Sequence, residues 1–555
     1  MFCETAARPI HNAAITSSSQ TKNVSLPSPA GAGTDPFFEA DMIPGISRPG
    51  TRILAAASQK MAHGLEASLS SNAHYPLEPH PLYPIPYMQL AIVIMAAGKG
   101  TRLKSKRPKV LHEIGGEALL RHVIRAASHI VPPNDIYVVI GHQAAHVKDA
   151  VYDTGVHFIH QDEQLGTGHA IQMAEAAVRG YENILVLSGD VPLLKSSTIA
   201  QLRDFHILER AAMTILTAVP ENPTGYGRVL RKAPGVHEVS AIVEQKALTS
   251  EQTHVGEINS GIYAFRTEPL FAHLGQLKTE NAHRELYLTD MAGLLVQAGE
   301  RVLAIEAGNP VEVLGANTIA EMMDLDRELR METARRLMAQ GVTILRPETT
   351  VIDAAVEVGP DTVIEPFVQL LGVTKIGEDC RIRSYSVVEN TNIANHVIVR
   401  QGCILSGAHI DSGALIGPYA HIRPESRIGE GAHVGNFVET KKITLGKGSK
   451  ANHLTYLGDA VIGEGTNIGA GTITCNYDGV NKHLTTIGDG VFVGSDTTLV
   501  APISVGNGAY IAAGSSITED VPEDALALAR SRQTTKPGWA TSKSAAAKKK
   551  LSLNS

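Results

Sequence analysis

A chain of 555 residues, 43% of them apolar, is long enough for several buried cores and is neither collagen-like nor disordered throughout. Its formal net charge of -7 at pH 7 argues against a nucleic-acid binder, which needs a basic face to neutralise phosphates. The four cysteines, Cys3, Cys380, Cys403 and Cys475, are too few and too scattered for a disulfide framework or a zinc site, and they point to a reducing compartment.

Residues 1–87 mix Ser, Pro, Ala and His without helical or strand periodicity, so they are expected to be disordered. Their longest apolar run is Ile53 to Ala57 and acidic residues offset the basic ones, which fits neither a signal peptide nor a transit peptide. The longest apolar run of the chain, Leu90 to Ala97, is well short of the ~20 residues of a membrane helix. A cytoplasmic protein with no membrane and no nucleic-acid partner is expected.

From Leu90 the pattern changes. The apolar runs "LAIVIMAA", "IYVVIGH" and "NILVLSGD" alternate with the helical stretches "EALLRHVIRAASHI" and "HAIQMAEAAVRG", as parallel strands covered by crossover helices do. "MTILTAV" and "NSGIYAF" continue the sheet to about residue 317. Next, Ile319, Met322, Leu325, Leu329 and Leu337 share a helical stripe ending at Gly341, a linker helix over 318–341.

Beyond Gly341 the period becomes six. Aliphatic residues recur from Ile352 to Val388, from Ile410 to Val434 and from Ile487 to Ile517, which predicts a parallel β-solenoid over 342–539. The register breaks near 390–405, 440–455 and 475–486, where insertions are expected to loop outward and carry function. Residues 540–555, with Lys548, Lys549 and Lys550, are expected to be a disordered, solvated tail.

Two clusters carry chemistry. "MAAGKGTRL" joins a buried strand to a helical stretch, so its amides can face a phosphate past Gly98 and Gly100, and Arg102 and Lys109 add cations. Leu103 stands where a dinucleotide fingerprint needs its third glycine. Asp190 ends a buried strand, where a carboxylate can hold Mg²⁺ against phosphate or simply cap a turn. Gln161 and the Gly166-Thr167-Gly168 turn suit a base edge or a phosphate. The second cluster, "NFVETKKITLGKGSKANHLTYLGDA", packs Glu439, Lys441, Lys442, His453 and Tyr456 into one stretch. A lone histidine is more often structural, but with these neighbours His453 is a candidate general base, since an imidazole suits taking a proton near neutrality.

Together with "SGDVPLL", "GYGRV", "IVEQKAL" and "EINSGIY", the segments "MAAGKGTRLKSKRPKVLH" and "QDEQLGTGHA" closely resemble the bacterial bifunctional N-acetylglucosamine-1-phosphate uridyltransferase and glucosamine-1-phosphate N-acetyltransferase family, from Met88 to about Trp539. The resemblance implies a Rossmann-like α/β nucleotidyltransferase domain with a mostly parallel sheet over 88–317. It also implies a left-handed parallel β-helix of hexapeptide repeats and a homotrimer with acyl sites between subunits. The expected product is UDP-N-acetylglucosamine, a precursor for peptidoglycan and lipopolysaccharide, made from glucosamine 1-phosphate, acetyl-CoA and UTP with Mg²⁺.

By the same resemblance, Ala96, Ala97 and Gly98 line the uridine nucleotide, Arg102 and Lys109 hold its phosphates, and Gln161, Gly166 and Thr167 contact uracil. Gly227, Glu244 and Asn259 hold the N-acetylglucosamine, and Asp190 with Asn317 ligates Mg²⁺. Met95, Ser188 and Gly189 complete this site; Met95 stands where Leu is familiar and Ser188 where some members carry Tyr. In the second site His453 is the general base, Arg423 and Lys441 bind phosphate, and Tyr456 and Asn467 contact the sugar. Glu439 is expected to orient the imidazole. Ala470, Asn476, Tyr477, Ser495, Ala513 and Arg530 match the acetyl-CoA side, with an amide near Ala470 suited to the oxyanion. From the residues alone, the favoured reading is that solenoid corners simply demand such small side chains.

Two rival readings are a single-activity nucleotidyltransferase whose solenoid only assembles it and a non-catalytic regulatory relative. His453, Lys441, Asn476 and Tyr477 speak against the first, Lys109 and Asp190 against the second. The enzyme is expected to begin at Met88, with residues 1–87 an upstream reading of the gene that starts too early or an added flexible arm.

Overall fold

The computed structural model describes residues 89–281 and 284–553; the leader, Met88 and the expectations placed on them lie outside these residues. Strand-forming apolar runs build the first domain. In chain order they are β1 (Leu90–Met95), β2 (Ile136–Ile140), β3 (His157–His160), β4 (Asn183–Ser188), β5 (Met213–Ala218), β6 (Arg228–Arg231), β7 (Val239–Val243), β8 (Ile258–Arg266) and β9 (Val302–Glu306). Among the described residues these nine form one sheet, ordered β9-β5-β8-β4-β1-β2-β3, with β6 and β7 as a hairpin joined through β6 to β8. Pairs β1–β2, β1–β4, β2–β3 and β5–β9 are parallel, while β8 runs antiparallel between β4 and β5.

Both faces of the sheet are covered, which is why β1 reads as unbroken apolar sequence. Helices α1 (Leu119–Ser128), α2 (Ala144–Val151) and α4 (Ser196–Glu209) pack with Ile92 and Ile94 on one face. On the other, α3 (Thr167–Val178), α5 (Thr267–Leu274) and α6 (Asp290–Gln297) bury Ala91 and Val93.

Helix α7 (Ile319–Ala339) leads out of this domain. Thr318 caps it by accepting from Glu321 N at 3.2 Å, and Glu321 Oε2 accepts from Asn317 N at 2.8 Å, a reciprocal arrangement like a capping box. Met322, Leu325 and Leu337 of the expected stripe are buried; Leu329 is half-buried and Ile319 is exposed. Arg330 bridges Asp326 and Asp353, and Asp326 Oδ1 accepts from Gly115 N at 2.8 Å. The hairpin Glu113–Ile114 with Glu117–Ala118, which follows Lys109 in the chain, is thereby tied to α7 and to the first solenoid coil.

The second domain is a left-handed parallel β-helix, its inner residues in register from coil to coil: Ile344 over Ile364, then Ile382, Val399, Ile416, Val434, Ala451, Ile468, Val493 and Ile511. Stacking gives each short strand backbone partners at the ~4.8 Å spacing of a sheet. Cys380 and Cys403 are buried in this column, and burial pushes the Cys403 thiol up to about 11.

Two expectations are corrected here. Near 390–405 and 440–455 the chain carries no insertion: Val388 is followed inward by Ile393, Leu405 by Ile410, Thr440 by Leu445 and Leu457 by Ile462, five residues on instead of six. These steps shorten the coil by one residue and keep the stack. Among the three breaks only Cys475 to Leu484 leaves it, as a loop closed by a Tyr477–Lys482 bridge. The tail is also not irregular: α8 (Trp539–Leu553) is helical, as its alanine-rich run favours, and Lys543 Nζ lies 4.5 Å over the Trp539 ring.

Candidate active sites

Met95 pairs with Val139 and with Ser188, so the loops leaving β1, β2 and β4 emerge side by side at the carboxyl edge of the sheet. A cavity of about 460 Å³ opens there. Of the residues expected in the nucleotide site, Met95, Ala96, Ala97, Gly98, Arg102, Lys109, Gln161, Gly166, Thr167, Ser188, Asp190 and Asn317 all line it. A Cβ on Gly98 meets no protein atom within 4 Å, so the loop surface stays open toward the cavity. Gly166 caps α3 at φ 111°, where a Cβ would lie 2.5 Å from Leu286 O. Gln161 is buried and its Nε2 donates to Gly166 O at 3.1 Å, tying that turn to the sheet.

Three elements converge at one point. Lys109, in a short 3-10 turn, is ion-paired with Asp190 and donates to Asn317 Oδ1 at 3.0 Å, while Arg102 Nη2 donates to the same oxygen at 2.6 Å. The capped start of α7 is what delivers Asn317. Asp190 and Asn317 are the candidate metal donors here. Their oxygens already converge on one ammonium, and two hard oxygen donors fit a Mg²⁺ that takes its remaining ligands from phosphate and water.

Gly227, Glu244 and Asn259 do not line that cavity but lie together next to it. Asn259 N donates to Gly227 O at 2.9 Å, and a Cβ on Gly227 would lie 3.6 Å from Glu244 Oε1. Ser188 reaches toward this group, its Oγ 3.3 Å from a Cβ on Gly261. Gly189 packs beneath the loop, its N donating to Met95 O at 3.0 Å, and is not a wall of the cavity. Sequence reasoning passed over Tyr226 and Glu285. Glu285 lines the cavity, and burial, with the Glu321 and Asp190 carboxylates nearby, raises the Tyr226 hydroxyl. Tyr226 stood inside "GYGRV", whereas nothing around Glu285 signalled it.

On the solenoid, His453 ends the strand Lys450–His453 and is stacked on Asn436, whose Oδ1 lies 2.9 Å from His453 Nδ1. Glu439 is not the imidazole's partner; it is ion-paired with Arg423 at 2.7 Å. Tyr456 pairs with Glu439 and Gly458 with Lys441 on the sheet that follows the His453 strand in the chain, so the base and the cations lie on two different faces of the coil. Lys441 abuts Lys482, a like charge that lowers the pKa of Lys441. Lys482 was missed because it lies on the Cys475–Leu484 loop, far along the chain. Gly471 N contacts the His453 and Leu454 carbonyls at 3.4 and 3.2 Å, which hangs the Ala470 corner on the His453 coil. Asp496 N then donates to Ala470 O, Gly514 N to Ser495 O and Arg530 Nη1 to Ala513 O, at 2.7, 2.8 and 2.7 Å, so these corners form one ladder. Asn476 is hydrogen-bonded to Asp459, and the Tyr477 hydroxyl donates to Gly479 O at 2.6 Å. Asn467 pairs with Lys450 on the neighbouring face.

A nucleotide-type cavity on a sheet edge, joined by one helix to a hexapeptide coil bearing an imidazole and a cation cluster, defines a two-activity transferase. The model of the MobA-like NTP transferase domain matches residues 92–343, and that of the bacterial transferase hexapeptide matches 355–390, 407–442 and 484–519. The "Bifunctional protein GlmU" of Koribacter versatilis is 60% identical over 463 residues, covering 83% of this chain and 99% of its own. Those of Solibacter usitatus and Trichlorobacter lovleyi are 49% and 46% identical, over 81% and 82% of this chain and 97% and 98% of theirs. The chain belongs to the bifunctional GlmU family. It is an enzyme with a nucleotidyl-transfer activity and an acyl-transfer activity.

Proposed function

We propose that the chain makes UDP-N-acetylglucosamine in two steps, acetylating glucosamine 1-phosphate on the solenoid (342–539) and then transferring uridylyl from UTP to N-acetylglucosamine 1-phosphate in the sheet domain (88–317). The observation that carries this reading is the convergence of Lys109, Arg102, Asp190 and Asn317 in a cavity walled by the glycine-rich loop, with a separate imidazole and cation cluster on the coil.

In the first step the amine attacks the thioester carbonyl. The C–N bond forms and the C–S bond breaks, His453 Nε2 takes the amine proton, and the thiolate leaves and is protonated in turn. Arg423, Lys441 and Lys482 grip the sugar phosphate. Tyr456 and Asn467 contact the sugar, and the ladder from Ala470 through Ser495 and Ala513 to Arg530, with Asn476 and Tyr477, holds the acetyl donor. In the second step the sugar-phosphate oxygen attacks the α-phosphorus in line and pyrophosphate leaves. Lys109 and Arg102 hold the phosphates, Gln161, Gly166 and Thr167 seat the uracil, and Gly227, Glu244 and Asn259 seat the sugar. Asp190 and Asn317 would hold Mg²⁺, which when bound neutralises charge on the phosphates.

The acting unit is a homotrimer in the cytoplasm. Support for subunit contact comes from an exposed aromatic ladder on the coil: Phe367 stacks on Tyr385 with centroids 5.1 Å apart, and Tyr419 on Phe437 at 5.8 Å. Among the described residues no helix is long and apolar enough to cross a membrane. The test supplies glucosamine 1-phosphate, acetyl-CoA, UTP and Mg²⁺ and looks for UDP-N-acetylglucosamine. Omitting acetyl-CoA halts its formation, and N-acetylglucosamine 1-phosphate restores it; product without either would refute the two-step order.

A further inference from the structure

An imidazole acts as a base only through the nitrogen that carries no proton, so its other nitrogen must be held as N–H by an acceptor. On this coil a single stacking contact does that. We propose that Asn436 is the positioning residue of the acetyl-transfer base: its Oδ1 accepts from His453 Nδ1–H at 2.9 Å and leaves the Nε2 lone pair free for the amine proton. The inference rests on the reading of His453 as that base.

The contact exists because the coil is short at this point. Three six-residue steps separate stacked residues such as Ile410 and Ile428, but the five-residue step from Thr440 to Leu445 sets Asn436 under His453. With a full-length coil the residue beneath would be Gly435, which has no side-chain acceptor to offer. The carboxylate best placed by sequence, Glu439, is engaged by Arg423.

A neutral acceptor also fits the charges around the ring. His453 shares a cavity of about 190 Å³ with Asn436, Arg400 and His433, and Lys450 lies on its own strand. Burial, Lys450 and Arg400 together lower the pKa of His433. Across the corner stand Tyr456 and the Arg423–Glu439 pair, with Lys441 and Lys482 beyond. No carboxylate lines that cavity. A carboxylate at position 436 would hold the same tautomer but stabilise the imidazolium, which cannot accept a proton. The amide orients the ring without that penalty.

The test measures acetyl transfer against pH on full-length Asn436→Ala, Asn436→Asp and His453→Ala, with melting temperature and uridylyl transfer reporting an intact enzyme. Asn436→Ala is expected to lower kcat about 10–100-fold with KM nearly unchanged, the scale on which loss of the orienting partner of a metal-bound imidazole acts. Asn436→Asp, almost isosteric, is expected to recover most of kcat at high pH while its acid limb moves up by about one pH unit. Wild-type kcat in the alanine variant, or an unshifted limb in the aspartate variant, overturns the proposal while the base reading stands. Retained acetylation in His453→Ala overturns the base reading, and this inference with it.

Discussion

Lys109 is ion-paired with Asp190, and the same ammonium reaches Asn317, the residue before the N-cap of α7. The three side chains come from a loop, a strand end and a helix start, yet their polar atoms meet at one point. Removing the carboxylate therefore unbalances the charge of the nucleotide site alone. Asp190→Ala is expected to reduce uridylyl transfer at least about 100-fold, the scale on which a group stabilising charge in a transition state acts. Acetyl transfer, assayed on the same preparation, stays intact. A chelator should reproduce that split, and equal loss of both activities would contradict separate sites.

The turn at Gly166 has no room for a side chain. Its φ of 111° is hostile to any L side chain and a Cβ would press on Leu286 O. Gly166→Ala is expected to raise the KM for UTP or to abolish uridylyl transfer, because Gln161 is anchored to the Gly166 carbonyl and moves with it. Wild-type UTP kinetics in this variant would show that the turn does not shape the site.

Lys441 titrates under the influence of Lys482, and the like charge lowers its pKa. As pH rises Lys441 therefore loses its charge sooner than an isolated lysine, and grip on a sugar phosphate weakens from that point. The KM for glucosamine 1-phosphate should climb on the alkaline side. In Lys482→Met the climb begins at higher pH, on top of a general increase in KM. An alkaline limb unmoved by that substitution would show that the two lysines are not coupled in function.

His206 is a probe of acid stability. It is buried with Nδ1 2.8 Å from Thr214 Oγ1, and burial, reinforced by Arg266, pushes its pKa down to about 4 from 6.5. Between those values the unfolded chain binds the extra proton, so stability rises with pH across the window. The contribution is complete above about pH 6.5, is lost as pH falls toward about 4, and amounts to about 3 kcal/mol. Denaturant midpoints of the sheet domain should show this slope, and His206→Gln should flatten it; an equal slope in both proteins would assign the acid loss to other groups.

Much of the architecture was readable directly. The runs around Leu90, Ile136 and Asn183 are buried strands because only a sheet covered on both faces tolerates unbroken apolar sequence. The six-residue recurrence names the coil, since a lone short strand cannot bury its aliphatic residue and must stack. Local sequence could not place β8, which enters antiparallel between two strands far from it in the chain. Nor could composition alone mark residues 540–553 as helical, although alanine propensity favours that state.

The sequence by itself determined the two architectures, the phosphate loop and the candidate base, because each is written in local spacing or in residue types a few positions apart. Only the tertiary structure decided which atoms meet. Asp190 and Asn317 become neighbours through Lys109, and Glu439 goes to Arg423 while His453 takes Asn436. Those choices follow from stacking register and from where α7 starts. A coil one residue short of three six-residue steps changes which side chain lies beneath those stacked across it, and no local pattern announces which partner that will be.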